Sequence, residues 1–365
     1  MAVSPLLEPV SFDSLPGWAE DDPGEAFAAF ARSAVRSLEK PYRTGALGLE
    51  ATAFQAAFAD ARSLGPDGDG LARAFFERHF VPCRIAAPGF VTGYYEPVVA
   101  ASRTRTASHC VPLLSRPDDL VDIEDLATRP PGLDPEFRFA RRLPDGSLAE
   151  FFDRGEIERG ALAGRGLEIA WLSDRVDAFF VHVQGAARLR YADGQEERVT
   201  YAAKSGHPFT SIGRRLAELG EIPLEAVTMQ SIRAWFARHP DRVDEILRQN
   251  RSYIFFRPAP VDDASLGPIA AAKVPLTPGR SIALDRSLHT FGTPVFVAAP
   301  TLTAFDGAPF ARLMIGQDTG SAIVGPARAD LFAGSGNAAG EIAGVVKHEA
   351  ALFAFVPRAL MEPGL

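Results

Sequence analysis

The sequence predicts a mixed, β-dominated fold in which one barrel is interrupted by a second domain and preceded by a helical segment. Three observations carry this. Residues 25–40 and two later stretches repeat apolar side chains at helical spacing. From Phe90 onward the texture changes to short apolar runs broken by Gly and Pro, the pattern of strands. Helical spacing returns between Ser211 and Gln249, and strand texture then resumes to the end.

Taken in order, residues 1 to about 22 are Pro- and acid-rich and read as an extended lead-in. Glu25–Lys40 carries Phe27, Phe30, Ala31, Ala34, Val35 and Leu38 on one helical face, and further helices are expected at Thr52–Ala61 and Gly70–His79. Phe54, Phe58, Phe75 and Phe76 read as core rather than as a binding stripe. The Pro-, Asp- and Arg-rich segment 101–150 reads mostly as loop. Strands are expected at Gly166–Leu172, Ala178–His182, Ala187–Tyr191 and Glu197–Tyr201. Between the last two, Ala192-Asp193-Gly194-Gln195 is a hairpin turn, Asp-Gly being a favoured turn pair. Helices follow at Ser211–Leu219, Met229–His239 and Arg242–Gln249, with Pro240 suited to a first turn. The remaining strands are expected at Tyr253–Phe256, Ser281–Leu284, Pro294–Ala298, Leu313–Gln317 and Ala351–Val356.

Composition sets the class. A chain of 365 residues, 47% hydrophobic, suggests two or three domains with ample core. A net charge of −8 offers no basic face to match nucleic-acid phosphates. No run of eighteen apolar residues is present, so no transmembrane helix is expected. The start Met1-Ala2-Val3-Ser4-Pro5 lacks a charged-then-apolar signal, which fits a cytoplasmic chain or a mature one whose leader was removed. Cys83 and Cys110 are too few for a disulfide framework or a structural zinc site; one disulfide and two free thiols both fit.

Chemistry concentrates near the end. In Met314-Ile315-Gly316-Gln317-Asp318-Thr319-Gly320-Ser321-Ala322-Ile323 an apolar run delivers one carboxylate into a turn of small residues, where a bulky polymer can approach closely. Asp285 ends another apolar run, and Asp330 lies in Ala329-Asp330-Leu331-Phe332-Ala333-Gly334-Ser335-Gly336. Three aspartates at strand ends without a histidine cluster suggest acid chemistry on a sugar or ester. Each is equally readable as a turn former. Gly334-Ser335-Gly336 lacks the G-x-S-x-G elbow, and no Lys-Ser/Thr follows it to cradle phosphate. His348-Glu349 has no second His four residues on, so neither metal nor organic cofactor is expected.

This carboxy-terminal third resembles the 3D domain, named for three aspartates and built as a double-psi β-barrel. Four further motifs are Thr92-Gly93-Tyr94-Tyr95-Glu96-Pro97, Phe179-Phe180-Val181-His182-Val183-Gln184-Gly185, Tyr201-Ala202-Ala203-Lys204-Ser205-Gly206-His207 and Asn250-Arg251-Ser252-Tyr253-Ile254-Phe255-Phe256. With them the chain, from about residue 80 onward, resembles the membrane-bound lytic murein transglycosylase A (MltA) family. The resemblance implies an amino-terminal helical segment at 1–79 packed on the barrel domain and a catalytic barrel from 80–100 plus 245–365. An inserted α+β or β-barrel domain at 101–244 would form the other wall of a groove.

It implies cleavage of the β-1,4 bond between N-acetylmuramic acid and N-acetylglucosamine of peptidoglycan, leaving 1,6-anhydromuramic acid ends. Asp318 would act as acid and then as base, its pKa raised by burial or by a second carboxylate, with Asp285 as that neighbour. Thr92, Gly93, Tyr94, Gln184, Gly185, Lys204, His207, Gly320, Ser321 and Asp330 would meet substrate. Competing readings place Tyr94 in a strand interior, Asp330 in a structural role, and Lys204 and His207 on a plain hairpin. Peptidoglycan strands are the implied partner of a monomer in the periplasm, held at the outer membrane by a lipid anchor in a longer precursor. Two departures affect binding detail. The family's Gly-Gly after the catalytic aspartate is Gly320-Ser321 here, and its Gln-Gly-Ser-Gly is Gln184-Gly185-Ala186-Ala187. The alternatives are a lysozyme-like muramidase and a non-catalytic, expansin-like wall-binding module.

Overall fold

The computed structural model describes residues 3–65, 70–123, 133 and 137–361. The chain divides into a first unit, Met1–Tyr95 with Asp263–Leu365, and a second, Glu96–Asp262.

The first unit opens with strand β1 (Leu7–Pro9) and helices α1 (Gly24–Glu39), α2 (Gln55–Leu64) and α3 (Ala72–His79). Ala26, Phe27, Phe30 and Ala34 form the buried face of α1, while Val35 and Leu38, expected on that face, are exposed. Phe27, Phe30, Phe58, Phe75, Phe76 and Phe80 meet largely edge to face at 4.9–6.4 Å, so the aromatic spacing is core as read. Each such burial contributes about 1.5–3 kcal/mol. Strands β2 (Phe80–Ile85) and β3 (Phe90–Glu96) complete this half.

In the second unit β4 (Val98–Ser102), β5 (Val111–Leu114), β9 (Glu168–Leu172), β10 (Ala186–Arg190), β11 (Glu196–Lys204) and β12 (Ile254–Ala259) form one sheet in the order β12-β11-β10-β4-β9-β5. The stretch expected as loop also holds a small sheet of β6 (Leu120–Asp122), β7 (Phe139–Arg142) and β8 (Leu148–Ala149), with 124–132 and 134–136 outside the described residues. A capping box at Asp153 opens the single turn α4 (Arg154–Glu156).

Ala178–His182, expected as a strand, lies inside helix α5 (Arg175–Gln184). Asp174 caps its start and Gly185, at φ +75°, ends it. The run misleads because both sides of α5 are buried. Ala178 and Val181 pack on the sheet, whereas Val176, Phe179 and Phe180 pack against α6 (Ile212–Glu218), α7 (Met229–Arg238) and α8 (Val243–Leu247). β12 pairs with β11, so the chain returns to the first unit only at Asp263.

That return supplies β13 (Ser281–Leu284), β14 (Pro294–Ala299), β15 (Phe310–Asp318), β16 (Arg328–Ser335), helix α9 (Asn337–Val345), β17 (Lys347–Glu349) and β18 (Ala351–Pro357). With the earlier strands they make a nine-stranded mixed sheet, β1-β2-β18-β14-β15-β13-β16-β3-β17. Helix α9 interrupts what the sequence presents as uninterrupted strand texture. Among the described residues no helix is long and apolar enough to cross a membrane. Cys83 is buried in β2 and Cys110 is exposed, both as free thiols.

Candidate active site

Three adjacent strands place two aspartates around one alanine. β13 runs parallel to β15 with Ser281 opposite Ile315 and Ile282 opposite Gly316, then Ala283 opposite Asp318. One residue of β15, Gln317, is therefore extra, a bulge of the kind that re-aims the side chain beside it. On the other flank of β13, Ala283 pairs with Asp330 of β16. Residues in register share a sheet face, so Asp318 and Asp330 rise on either side of a methyl group.

The bulge is anchored from beneath. The buried Gln317 amide donates to Ala29 O and Ser33 Oγ of α1, both at 2.8 Å, and its Oε1 accepts from Ser281 Oγ at 2.6 Å. A satisfied buried amide joining helix and strands gives the following residue little freedom.

β3 supplies the hydroxyls. Thr92 and Tyr94 alternate onto one face. Tyr94 Oη donates to Asp318 Oδ2 at 3.0 Å, and Thr92 Oγ1 donates to Asp330 Oδ1 at 2.5 Å. The opposite face of β3 explains Gly93: a Cβ there would stand 2.9 Å from Ala343 Cα and 3.0 Å from Ala343 O of α9. Gly340 of α9 likewise leaves room for the Tyr95 ring.

A tight turn at 268–275, bridged between Ile269 and Pro275, brings a third contact. Ala271 N–H donates to Asp318 Oδ1 at 3.2 Å, and Ala272 N–H donates to Gln317 O at 2.9 Å. At its tip Lys273 adopts φ +63°, the one non-glycine residue in the left-handed region among those described.

Desolvation dominates the electrostatics. Asp318 and Asp330 keep a partly exposed surface, yet protein encloses both carboxyls. Burial raises Asp318, against opposing hydrogen bonds from the Thr319 and Ala271 amides and Tyr94 and the charge of Lys273. Burial likewise pushes Asp330 up to about 6, with Asp318 adding to it and Thr92 and Arg328 opposing. Tyr94 is held well above its ordinary value, by burial first and then by both aspartates.

Asp285 occupies a different position from the one expected for the neighbouring carboxylate. Its oxygens accept from Ser287 Oγ at 2.6 Å, Ser287 N at 3.0 Å and Gly325 N at 2.9 Å. Burial works to raise it, but the Ser287 and Gly325 hydrogen bonds and nearby His289 prevail and lower it. Buried His289 donates Nε2–H to Pro326 O at 2.8 Å. The two residues thus pin Gly325-Pro326, the far end of the loop that carries Gly320 and exposed Ser321. The carboxylate whose charge meets that of Asp318 is Asp330.

In the second unit Gln184 closes α5 and Gly185 takes the left-handed cap, both partly exposed. Lys204 ends β11 opposite Ile254 and is also partly exposed. His207 is not placed as the open substrate contact expected. It is 1% exposed, bonded through Nε2 to Phe151 O at 2.7 Å and packed on Phe137, while Gly206 fits against the same ring.

A cleft of about 1390 Å³ elsewhere on the first unit is lined by Glu20, Asp22, Phe90, Asp306 and His348 and includes none of these groups. No cluster of three or more His, Cys, Asp or Glu among the described residues is placed to hold a metal. Arg328 was not singled out from sequence. The available signal was its place two residues before Asp330 on a strand, hence on the same face.

A desolvated carboxyl pair fed by two hydroxyls is the equipment of proton-transfer chemistry. Residues 90–257 match the MltA specific insert domain and 280–356 the 3D domain. The chain is similar to the membrane-bound lytic murein transglycosylase of Agrobacterium tumefaciens, with TM-score 0.90 and 51% identity over 97% of this chain and 98% of that one. It is also similar to Escherichia coli MltA with bound chitohexaose, with TM-score 0.67 and 25% identity over 98% and 95% of the two chains. Membrane-bound lytic murein transglycosylase A of E. coli strain K12 is 34% identical over 263 residues, a match spanning 70% of this chain and 62% of that protein. The chain belongs to the membrane-bound lytic murein transglycosylase A family.

Proposed function

We propose that the protein is a lytic transglycosylase that cuts the β-1,4 bond between N-acetylmuramic acid and N-acetylglucosamine of peptidoglycan. The observation that carries this reading is the single aspartate Asp318, raised by desolvation yet still partly open to a ligand, at a bulge locked by Gln317. A family relative solved with bound chitohexaose supports a glycan ligand. The nine-stranded sheet, in which β13 pairs parallel with β15 and antiparallel with β16, is proposed to be the double-psi barrel of a 3D domain.

In this mechanism Asp318 gives its proton to the glycosidic oxygen as the C1–O4 bond breaks. The muramoyl C6 hydroxyl then attacks C1, and its proton passes to Asp318, which is restored. The new O6–C1 bond closes the 1,6-anhydro ring, so no water is consumed. Asp330 sets the charge beside Asp318, and Asp285 orders the loop bearing Gly320 and Ser321. Thr92, Tyr94, Gln184, Gly185 and Lys204 are proposed to contact the glycan. Gly93 and His207 serve packing. The protein is proposed to work as a monomer in the periplasm, associated with the outer membrane through a lipid anchor on its precursor.

Mass analysis of fragments from purified peptidoglycan tests this. Anhydromuramic ends, lighter by one water than lysozyme products, are expected. Reducing ends would replace the reading with a muramidase, and no fragments would replace it with a wall-binding module.

A further inference from the structure

Arg328 lies beside the catalytic pair but touches neither carboxylate in any hydrogen bond of the described structure. Its Nη2 donates to Thr92 Oγ1 at 2.7 Å, and that hydroxyl in turn donates a hydrogen bond to Asp330 Oδ1. A second guanidinium nitrogen donates to Ala329 O, and the cation lies 5.6 Å from the centre of the Phe90 ring. The guanidinium is thus fixed on three sides and aimed at Asp330 through one hydroxyl.

We infer that Arg328 is a positioning residue for the carboxyl pair: bridged by Thr92, its cation favours the ionised form of Asp330 and so draws the pair's proton toward Asp318. This deepens the proposed acid–base reading and rests on it. The charged and titratable groups acting on the pair come from each element around it. They are Arg328 from β16, Tyr94 from β3, Lys273 from the 268–275 turn, and the two carboxyls themselves, while exposed Lys347 of β17 stands opposite Thr92 in the sheet. β13 contributes only Ala283 between them. Burial and the charge of Asp318 favour a neutral Asp330, and the Thr92 hydrogen bond and the charge of Arg328 oppose it. Without Arg328 the proton lies further toward Asp330. Asp318 is then less repelled by its neighbour and ionises at lower pH.

The test is the pH dependence of turnover on purified glycan strands, with thermal melting alongside, for wild type, Arg328→Met, Arg328→Lys and Thr92→Val. In Arg328→Met the alkaline limb, where the acid form of Asp318 is lost, should move acidward by on the order of one pH unit. Arg328→Lys, which restores the charge, should bring the limb back toward wild type. Should Arg328→Met melt too early to assay, Thr92→Val cuts the same bridge and should shift the limb in the same direction. A folded Arg328→Met with the wild-type limb overturns the inference, as does a Lys variant that shifts as far as Met. Asp318→Asn separates the two levels. If it is inert while the Arg328→Met limb stays put, only the role of Arg328 fails; if it is active, the single-acid reading fails and this inference with it.

Discussion

The Tyr94 hydroxyl donates to Asp318 Oδ2 at 3.0 Å, and this hydrogen bond works against the burial that raises Asp318. A phenol held well above its ordinary pKa keeps its proton and donates it in a hydrogen bond to the carboxylate, so it favours the ionised aspartate and fixes where the carboxyl points. The balance matters in the proposed mechanism, where Asp318 gives a proton and then takes one back.

Tyr94→Phe keeps the ring packed on Phe332, 5.3 Å away, and removes only the donor. Asp318 should rise further, moving the alkaline limb of the pH–rate profile to higher pH. Losing one hydrogen bond to a charged group, worth about 1.5–3 kcal/mol, should lower turnover at neutral pH by about tenfold or more. A pH–rate profile measured beside wild type checks both; a limb that moves acidward would contradict the role assigned to the phenol.

Asp330 predicts a stability trend. Its folded carboxyl lies at about 6 against an ordinary 3.8, so the folded state holds the proton more tightly. The contribution is fully present below the unfolded value and is lost as pH rises through the folded one. The loss amounts to about 3 kcal/mol at most. Chemical denaturation at a series of pH values should show this decline, and Asp330→Asn should flatten it.

Gly93 was read as a substrate contact, but the close approach of α9 accounts for it. Gly93→Ala would put a methyl group into the Ala343 backbone, and overpacking of this kind costs about 1–3 kcal/mol. Because β3 also carries Thr92 and Tyr94, turnover should fall together with the melting temperature. A variant that melts with wild type would show that α9 yields freely.

Much of the architecture was legible because period and length agree. Three helices precede β2, and Ser281–Leu284 is a strand with the bounds read from its apolar run. Ala178–His182 misled because a helix buried on both sides has no polar stripe to show its period. Helix α9 was hidden by its composition: the small residues needed against β3 leave no bulky apolar stripe at helical spacing within the expected strand texture. The motifs named Thr92, Tyr94, Asp318 and Asp330. Which hydroxyl serves which carboxylate depends on a bulge at Gln317 and on the pairing of distant strands, neither of which leaves a local trace. The Gly325 bond to Asp285 escaped for the same reason, whereas its bonds to Ser287 match the turn-former reading and the spacing of Arg328 from Asp330 was there to be used.

The two remaining aspartate substitutions separate chemistry from scaffolding. Asp318→Asn fills the same space but can neither donate nor accept the catalytic proton. General acid–base assistance contributes about 10²–10⁴-fold, and one residue serving both steps places the loss at or beyond the upper end. The fold should not suffer, since removing an ionisable group that burial disfavours relieves a cost at neutral pH. Asp285→Ala should behave in the opposite way. It leaves the Gly325 and Ser287 amides without their carboxylate, a loss of about 1–3 kcal/mol for each amide that stays buried and unpaired. Because Asp285 is lowered in the folded state, its stabilisation is present above the ordinary carboxylate range and fades as pH falls. The melting difference between wild type and Asp285→Ala should therefore shrink in acid. Turnover of Asp285→Ala should drop less than that of Asp318→Asn, with much of the loss in KM as the loop bearing Gly320 and Ser321 loosens. Steady-state kinetics and melting on both variants decide the matter. A well-folded Asp285→Ala that is as dead as Asp318→Asn would move Asp285 from the loop into the chemistry.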